Sequence, residues 1–274
     1  MALSSLEFDT VSRWIKEQAA LIINKDKEYL ITTRLEPLAL REGFDNIGSL
    51  IQQLDSLAFE NPLYAKIVDA LTTNETSFFR DIHPFEELRQ SILPEIRDKK
   101  THKELSIWSG ACSSGQEIFS IAMILRKHFQ DMVNGWKLNL IGTDLSDSSL
   151  EKAREGTFSQ FEVNRGLPAP MLIRYFTQEG KYWKLKPEVI NMARFQKFNI
   201  IKPWPRDFPT FDIIFLRNIL IYFNEETKSE ILSRMHRCIA PHGYLFLGTA
   251  ENAAFLSKDW KMERRANTTC YRPV

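Results

Sequence analysis

The stretch LTTNETSFFRD, from Leu71 to Asp81, sets polar side chains and an arginine against two phenylalanines at the seam between two compositionally different halves of the chain. Seams of this kind hold ligands. Three later segments carry complementary chemistry. LSIWSGACSSGQE runs an apolar strand into a Gly/Ser-rich turn, LNLIGTD ends a strand in an acid, and FDIIFLRNILIYF ends another in an arginine, an asparagine and a tyrosine. Together they read as a cradle for a nucleotide-type cofactor, with the seam as its lid.

Each residue admits a functional and an ordinary structural role. In Gly110 to Glu117 small residues let backbone approach a ligand, and free N–H groups at the start of the next helix point at it; the same text also suits a plain strand-to-helix turn. Asp144, at the end of the second strand, is placed to accept both hydroxyls of a ribose. It could equally cap the following helix, but Ser146 can supply that cap. Glu117, in the first helical turn, is either a favourable dipole charge or a ligand group. As a ligand group it disfavours a diphosphate and favours a cation, which points to S-adenosylmethionine rather than NAD. Arg217, Asn218 and Tyr222 follow a strand's carboxyl end, where open parallel sheets bind ligands, and Asn199-Ile200 occupies a similar position. Trp183 and Trp204 form no stacking motif and are assigned to packing.

Two kinds of element must position these residues. From Leu6 to about Leu71 apolar residues recur at helical spacing, which predicts a small all-α domain over 1–71 broken at Gly43, Gly48 and Asn61-Pro62. Residues 72–84 form a linker contributing to the cofactor site. From 85 to 274 strands alternate with helices, the pattern of an α/β domain with a mainly parallel sheet. Strands are expected near Leu105–Trp108, Lys137–Thr143, Phe211–Leu216 and Tyr244–Thr249, with helices near Pro84–Ile96, Gln116–His128, Ser148–Glu155 and Glu225–Cys238. His242-Gly243 reads as a tight turn before the last strand. YWKLK and ARFQKFN alternate at period two around Pro187, which predicts a small antiparallel insertion at about 175–199.

Composition narrows the class. The 274 residues are 43% hydrophobic and 26% charged, and the formal net charge is +1, so bulk charge does not suggest a nucleic-acid or membrane binder. Three widely spaced cysteines and five histidines fall in no ligand spacing, so neither a disulfide scaffold nor a metal site is expected. The start, MALSSLEFDTVSR, lacks a signal-peptide pattern, which implies the cytoplasm. Residues 1–70 hold seven basic against eleven acidic side chains, yet Lys25, Lys27, Arg34 and Arg41 lie along one helical segment. That stripe is either a solvated face or a docking face for an acidic partner helix.

Taken together, these segments resemble the chemotaxis receptor methyltransferases, the glutamate O-methyltransferases called CheR. The likeness spans the whole chain: a helical N-terminal domain, N-x-T-x-F-F-R (Asn74, Thr76, Phe78, Phe79, Arg80), W-S-G-x-C-S-S-G-Q-E (Trp108 to Glu117), the insertion and R-N-x-x-I-Y-F (Arg217 to Phe223). Departures are Ile118-Phe119 in place of Pro-Tyr and GTAE (Gly248 to Glu251) in place of G-H-S-E.

The resemblance implies a class I, Rossmann-like methyltransferase domain whose cofactor is S-adenosyl-L-methionine and whose product is S-adenosyl-L-homocysteine. It implies that Asn74, Thr76 and Arg80 close over the cofactor, that Glu117 and Asp144 hold it, and that Asn199, Ile200, Leu216 and Arg217 line its adenine side. Arg80 and Tyr222 fall beside the transferred methyl. The implied partners are cytoplasmic helices of methyl-accepting receptors, met by Lys25, Lys27, Arg34 and Arg41, with no nucleic acid and no membrane insertion. Receptor-tethered members carry a longer glycine-containing loop in the insertion, so the short FTQEGKYWKL implies independence of a receptor's C-terminal pentapeptide. Competing readings are a nucleic-acid methyltransferase, a non-catalytic cofactor-binding module and an NAD-dependent oxidoreductase.

Overall fold

The computed structural model describes residues 3–58, 61–254 and 257–274. The chain begins with helices α1 (Ser5–Ala19), α2 (Glu28–Arg41), α3 (Ile47–Ile51) and α4 (Pro62–Leu71), packed around Val11, Ile15, Ile31, Leu35, Leu50 and Ile67. Local chemistry fixes the ends of these helices. Ser4 and Glu7 form a reciprocal capping box on α1, and Asn61 caps α4 with Pro62 in its first turn. Gly43, at φ +85°, follows the end of α2, whereas Gly48 lies inside α3, which starts at its Asn46 cap. Gly48 is therefore no break.

After the seam come α5 (His83–Glu87), a π turn (Leu88–Ile92) and α6 (Leu93–Lys99). Pro94 explains the widened turn: it has no N–H to donate, and its ring would crowd a carbonyl one turn back in a regular helix. The sheet domain continues with β1 (Glu104–Gly110), α7 (Gln116–His128), α8 (Gln130–Gly135), β2 (Lys137–Asp144) and α9 (Asp147–Glu155). Then follow β3 (Thr157–Ser159), α10 (Gln160–Asn164), α11 (Ala169–Tyr175), β4 (Phe176–Glu179), β5 (Tyr182–Leu185), α12 (Pro187–Ile190) and β6 (Ala193–Lys197). The chain closes with β7 (Phe211–Leu216), α13 (Glu225–Cys238), β8 (Ile239–Leu247), β9 (Trp260–Arg265) and β10 (Thr268–Pro273).

Seven strands form one sheet in the order β6-β2-β1-β7-β8-β10-β9. The first five run parallel, and β10 and β9 add an antiparallel edge. This is a Rossmann-like α/β sheet. Its switch point lies at β1, flanked by β2 and β7, and at such points ligands bind beyond the carboxyl ends of the strands.

Two further expectations need correction. Ala193–Lys197 is not in the insertion: it pairs parallel with β2 as the sheet's edge, and the small antiparallel sheet has the order β3-β5-β4, its third strand coming from Thr157–Ser159. His242-Gly243 is not a turn but lies within β8, where the register against β7 shifts between Phe211 and Ile213. The hairpin of β9 and β10 was not foreseen.

Candidate functional site

A cleft of about 990 Å³, its open mouth included, lies over the carboxyl ends of β1, β2, β6 and β7. It is walled on one side by residues 72–77 and 80 of the seam. Asn74, Thr76, Arg80, Glu117, Asp144, Asn199, Ile200, Arg217 and Tyr222 all line it. Leu216 does not: it is fully buried at the end of β7, so its expected place on the adenine side is corrected to the core beneath.

The two phenylalanines explain how the seam is held. Phe78 meets Phe158 and Phe176 of the small sheet edge-on, with centroids 5.0 and 5.6 Å away, and Phe79 meets Phe85 of α5 at 5.4 Å. The Phe79 N–H donates to Ser120 Oγ at 3.0 Å. Between these anchors the backbone takes left-handed values at Phe79, Asp81 and Ile82. Non-glycine residues keep such values where surroundings enforce them, commonly at functional sites. The Arg80 guanidinium donates to the Glu75 carbonyl at 3.0 Å, so it lies along the seam at the cleft wall.

The loop after β1 turns sharply through left-handed Ala111, Ser113 and Gly115, the last at φ +87°, where a Cβ would stand 2.9 Å from the Phe119 ring. The turn brings the start of α7 to the cleft. Glu117 in that first turn accepts from Ser109 Oγ at 2.8 Å and from Arg217 Nη1 at 3.1 Å. Arg217, with a side chain 1% exposed, also donates to the Arg80 carbonyl at 2.9 Å and pairs with Asp81. Its guanidinium thus faces Glu117 and the seam. A buried arginine needs such partners, because an unpaired buried charge is costly.

Asp144 accepts from the Ser113 N–H at 2.7 Å and the Ser146 N–H at 2.9 Å. Burial raises its pKa above the usual aspartate value, and backbone N–H groups from Ser146, Ser113 and Leu145 oppose that rise. Ser146 caps α9 by accepting from the Ser149 N–H at 3.0 Å, which leaves Asp144 facing the cleft. Asn199 donates to the Gln18 carbonyl at 2.8 Å, tying the loop after β6 to the end of α1.

Other lining residues escaped sequence reading. Ser113 also donates through Oγ to the Asn74 carbonyl at 2.7 Å, and Ala19, Leu21, Leu145 and Phe198 add apolar wall. Ser109, behind the lining, could have been suspected only from its place in the small-residue run. Asn218, at φ +60°, leaves its buried Oδ1 with no hydrogen-bond partner.

The stripe divides. Lys25, Lys27 and Arg41 are exposed, whereas Arg34 is half-buried and donates to the Leu71 and Thr72 carbonyls at 3.0 and 3.1 Å. Arg34 therefore secures the last turn of α4 where it enters the seam.

The cleft thus combines the carboxylates of Glu117 and Asp144, apolar wall from Ala19, Leu21, Leu145 and Phe198, and an open acceptor on Asn218, a lining that suits a cofactor with cationic, hydroxyl and apolar parts. This fold and site define an S-adenosylmethionine-dependent methyltransferase. A sequence model described as "CheR methyltransferase, SAM binding domain" matches residues 74–270. Chemotaxis protein methyltransferase Cher2 of Pseudomonas putida is 34% identical over 265 residues, covering 96% of each chain. Chemotaxis protein methyltransferase 1 of Pseudomonas aeruginosa is 34% identical over 99% of each chain, and the chemotaxis protein methyltransferase of Vibrio parahaemolyticus is 35% identical over 96% of this chain and 95% of its own. The chain belongs to the CheR methyltransferase family, the S-adenosylmethionine-dependent methyltransferases of chemotaxis. Among the described residues no helix is long and apolar enough to cross a membrane.

Proposed function

We propose that this methyltransferase esterifies glutamate side chains on cytoplasmic helices of methyl-accepting chemotaxis receptors, acts in the cytoplasm and takes no nucleic-acid acceptor. The observation that carries the reading is the chemistry of the cleft wall. No histidine or lysine is among its described lining residues, Glu75 pairs with Arg165, and Glu117 and Asp144 are engaged by Ser109, Arg217 and backbone N–H groups. A site without a free base suits a nucleophile that arrives ionised, and a glutamate, with an ordinary pKa of about 4.3, is ionised near neutral pH.

S-adenosylmethionine, when bound, supplies a methyl group activated by a sulfonium. Glu117 would hold its ammonium and Asp144 its ribose, with Asn74, Thr76, Asn199 and Ile200 closing the walls. Arg80 would align the incoming carboxylate, and Tyr222 would shield the reacting end from water or donate a hydrogen bond to it. Positioning is the main contribution, since aligning reactants in one site can supply about 7 to 11 kcal/mol in the best intramolecular cases. Arg80 is better suited to alignment than to tight pairing, because binding that already stabilises the ground state does not speed transfer.

The exposed Lys25, Lys27 and Arg41 would meet the acidic receptor helix. The β4–β5 hairpin, closed by Gly180 and Lys181 alone between Glu179 and Tyr182, supports independence of a C-terminal pentapeptide. The test is transfer of a tritiated methyl to a cytoplasmic chemoreceptor fragment, followed by mild alkali. Release of labelled methanol, abolished when the acceptor glutamates are changed to glutamine, supports the reading. Alkali-stable label, or label on nucleic acid, overturns it.

A further inference from the structure

Another carboxylate stands behind the cleft wall. Glu251 is 8% exposed, lies outside the cleft lining, and pairs with no lysine or arginine among the described residues. Its Oε2 accepts from the N–H groups of Gly248 at 2.6 Å and Asn218 at 2.8 Å, and its Oε1 accepts from the Ile221 N–H at 3.3 Å. Its own position is fixed by a turn from its N–H to the Gly248 carbonyl, 2.9 Å, and by the Tyr271 hydroxyl on its carbonyl, 3.4 Å. One side chain thus joins the end of β8 to the turn that leaves β7, and that turn carries Arg217, Asn218 and Tyr222.

We propose that Glu251 is a positioning residue for methyl transfer: by gripping the N–H groups of Asn218 and Ile221 it sets where the Tyr222 ring stands at the cleft. The inference rests on the reading that Tyr222 stands beside the transferred methyl. Three features support it. Asn218 holds a left-handed conformation, which asparagine tolerates better than other non-glycine residues, and the carboxylate grips that same residue's N–H. Hydrogen bonds from N–H groups to an ionised carboxylate are stronger than those between neutral groups, and both oxygens are used. Gly248 leaves room for the arrangement: a Cβ there would lie 2.8 Å from Glu251 Oε2 and 2.9 Å from the Asn218 nitrogen.

Glu251→Gln keeps the shape but turns an NH2 toward one set of donors, so the turn loosens while the sheet persists. The expected result is a fall in kcat on the receptor fragment of about tenfold to a hundredfold, the scale of a reacting group misplaced by about 1 Å. The Kd for S-adenosylhomocysteine should change less than kcat, since Asp144 and the Ser109 bond of Glu117 lie outside that turn. In the free protein, amide exchange at Asn218 and Ile221 should quicken while that of β1 does not change. Gly248→Ala, whose Cβ would crowd both the carboxylate and Asn218, should likewise lower kcat and quicken exchange at Asn218. In a Tyr222→Ala background, Glu251→Gln should cost less than about threefold, because both changes remove one contribution. Full additivity alongside a costly Tyr222→Ala overturns the Glu251 inference alone, as does unchanged amide protection. A Tyr222→Ala enzyme with normal kcat overturns the role of Tyr222 and this inference with it.

Discussion

Glu117→Gln isolates the part of the cleft that recognises charge. In the native site the carboxylate takes one hydrogen bond from Ser109 and one from Arg217, whose side chain is 1% exposed. In the carboxamide the oxygen can still accept from Arg217 while the NH2 donates to the Ser109 hydroxyl, so what the variant removes is the charge on the Arg217 bond. Arg217 keeps the Arg80 carbonyl and Asp81, which limits the damage. Losing one charge-assisted bond costs about 1.5 to 3 kcal/mol, and the melting temperature should fall by about 3 to 10 °C for a chain of this size. The cofactor's ammonium would lose a bond of similar strength, which weakens S-adenosylhomocysteine binding about 10- to 150-fold. Calorimetry with the product and with an analogue lacking the α-amino group separates the two effects. The deaminated analogue should bind native and variant proteins alike, because it has nothing to lose at Glu117. An equal loss for both ligands would refute the assignment and make Glu117 only a brace for Arg217.

Arg80→Ala should leave the melting temperature within about 2 °C, since the side chain is half-exposed and donates to the Glu75 carbonyl at the surface, while removing most methyl transfer; near-normal turnover by the purified variant would dismiss its role. Asp144 has its pKa raised by burial, so it takes up a proton at a higher pH than an unfolded aspartate, and its ionised form costs the fold stability that returns on acidification. Its share of S-adenosylhomocysteine affinity should therefore begin to decline above the ordinary aspartate value of 3.8 as pH falls, and Asp144→Asn should flatten that decline; parallel titrations of the two proteins would contradict it. Replacing Lys25, Lys27 and Arg41 by alanine should raise KM for a receptor fragment and flatten its salt dependence, as expected of exposed charges screened over about 8 Å at physiological ionic strength. Arg34→Ala should instead lower stability by about 1 to 2 kcal/mol through the freed Leu71 and Thr72 carbonyls, and a KM effect without a stability loss would reverse that division of labour.

Much of the central sheet was legible because its strands are continuous apolar runs. Phe211–Leu216 is buried throughout, and Gln116–His128 and Glu225–Cys238 match their helices end to end. Ala193–Lys197 was misplaced because an edge strand with a half-exposed face alternates like an antiparallel one, and its sequence does not name its neighbour. Thr157–Ser159, three residues long, carries too little pattern to be read as a strand. Glu117, Asp144 and Arg80 were visible from residue type at strand and helix ends. The partners of Arg217 lie about a hundred or more residues earlier, at Glu117 and Asp81, and those of Arg34 lie at the end of α4 and in the seam. Such pairings are products of folding at long range, so local spacing could show the charge but not where it is spent.

The most direct measurement is a crystal structure of the protein with S-adenosylhomocysteine. The amino group should lie about 3 Å from a Glu117 oxygen and a ribose hydroxyl about 2.7 Å from Asp144, with the sulfur facing Arg80 and Tyr222. Product bound in the reverse direction, or anywhere outside the cleft between the seam and the ends of β1, β2, β6 and β7, would contradict the site described.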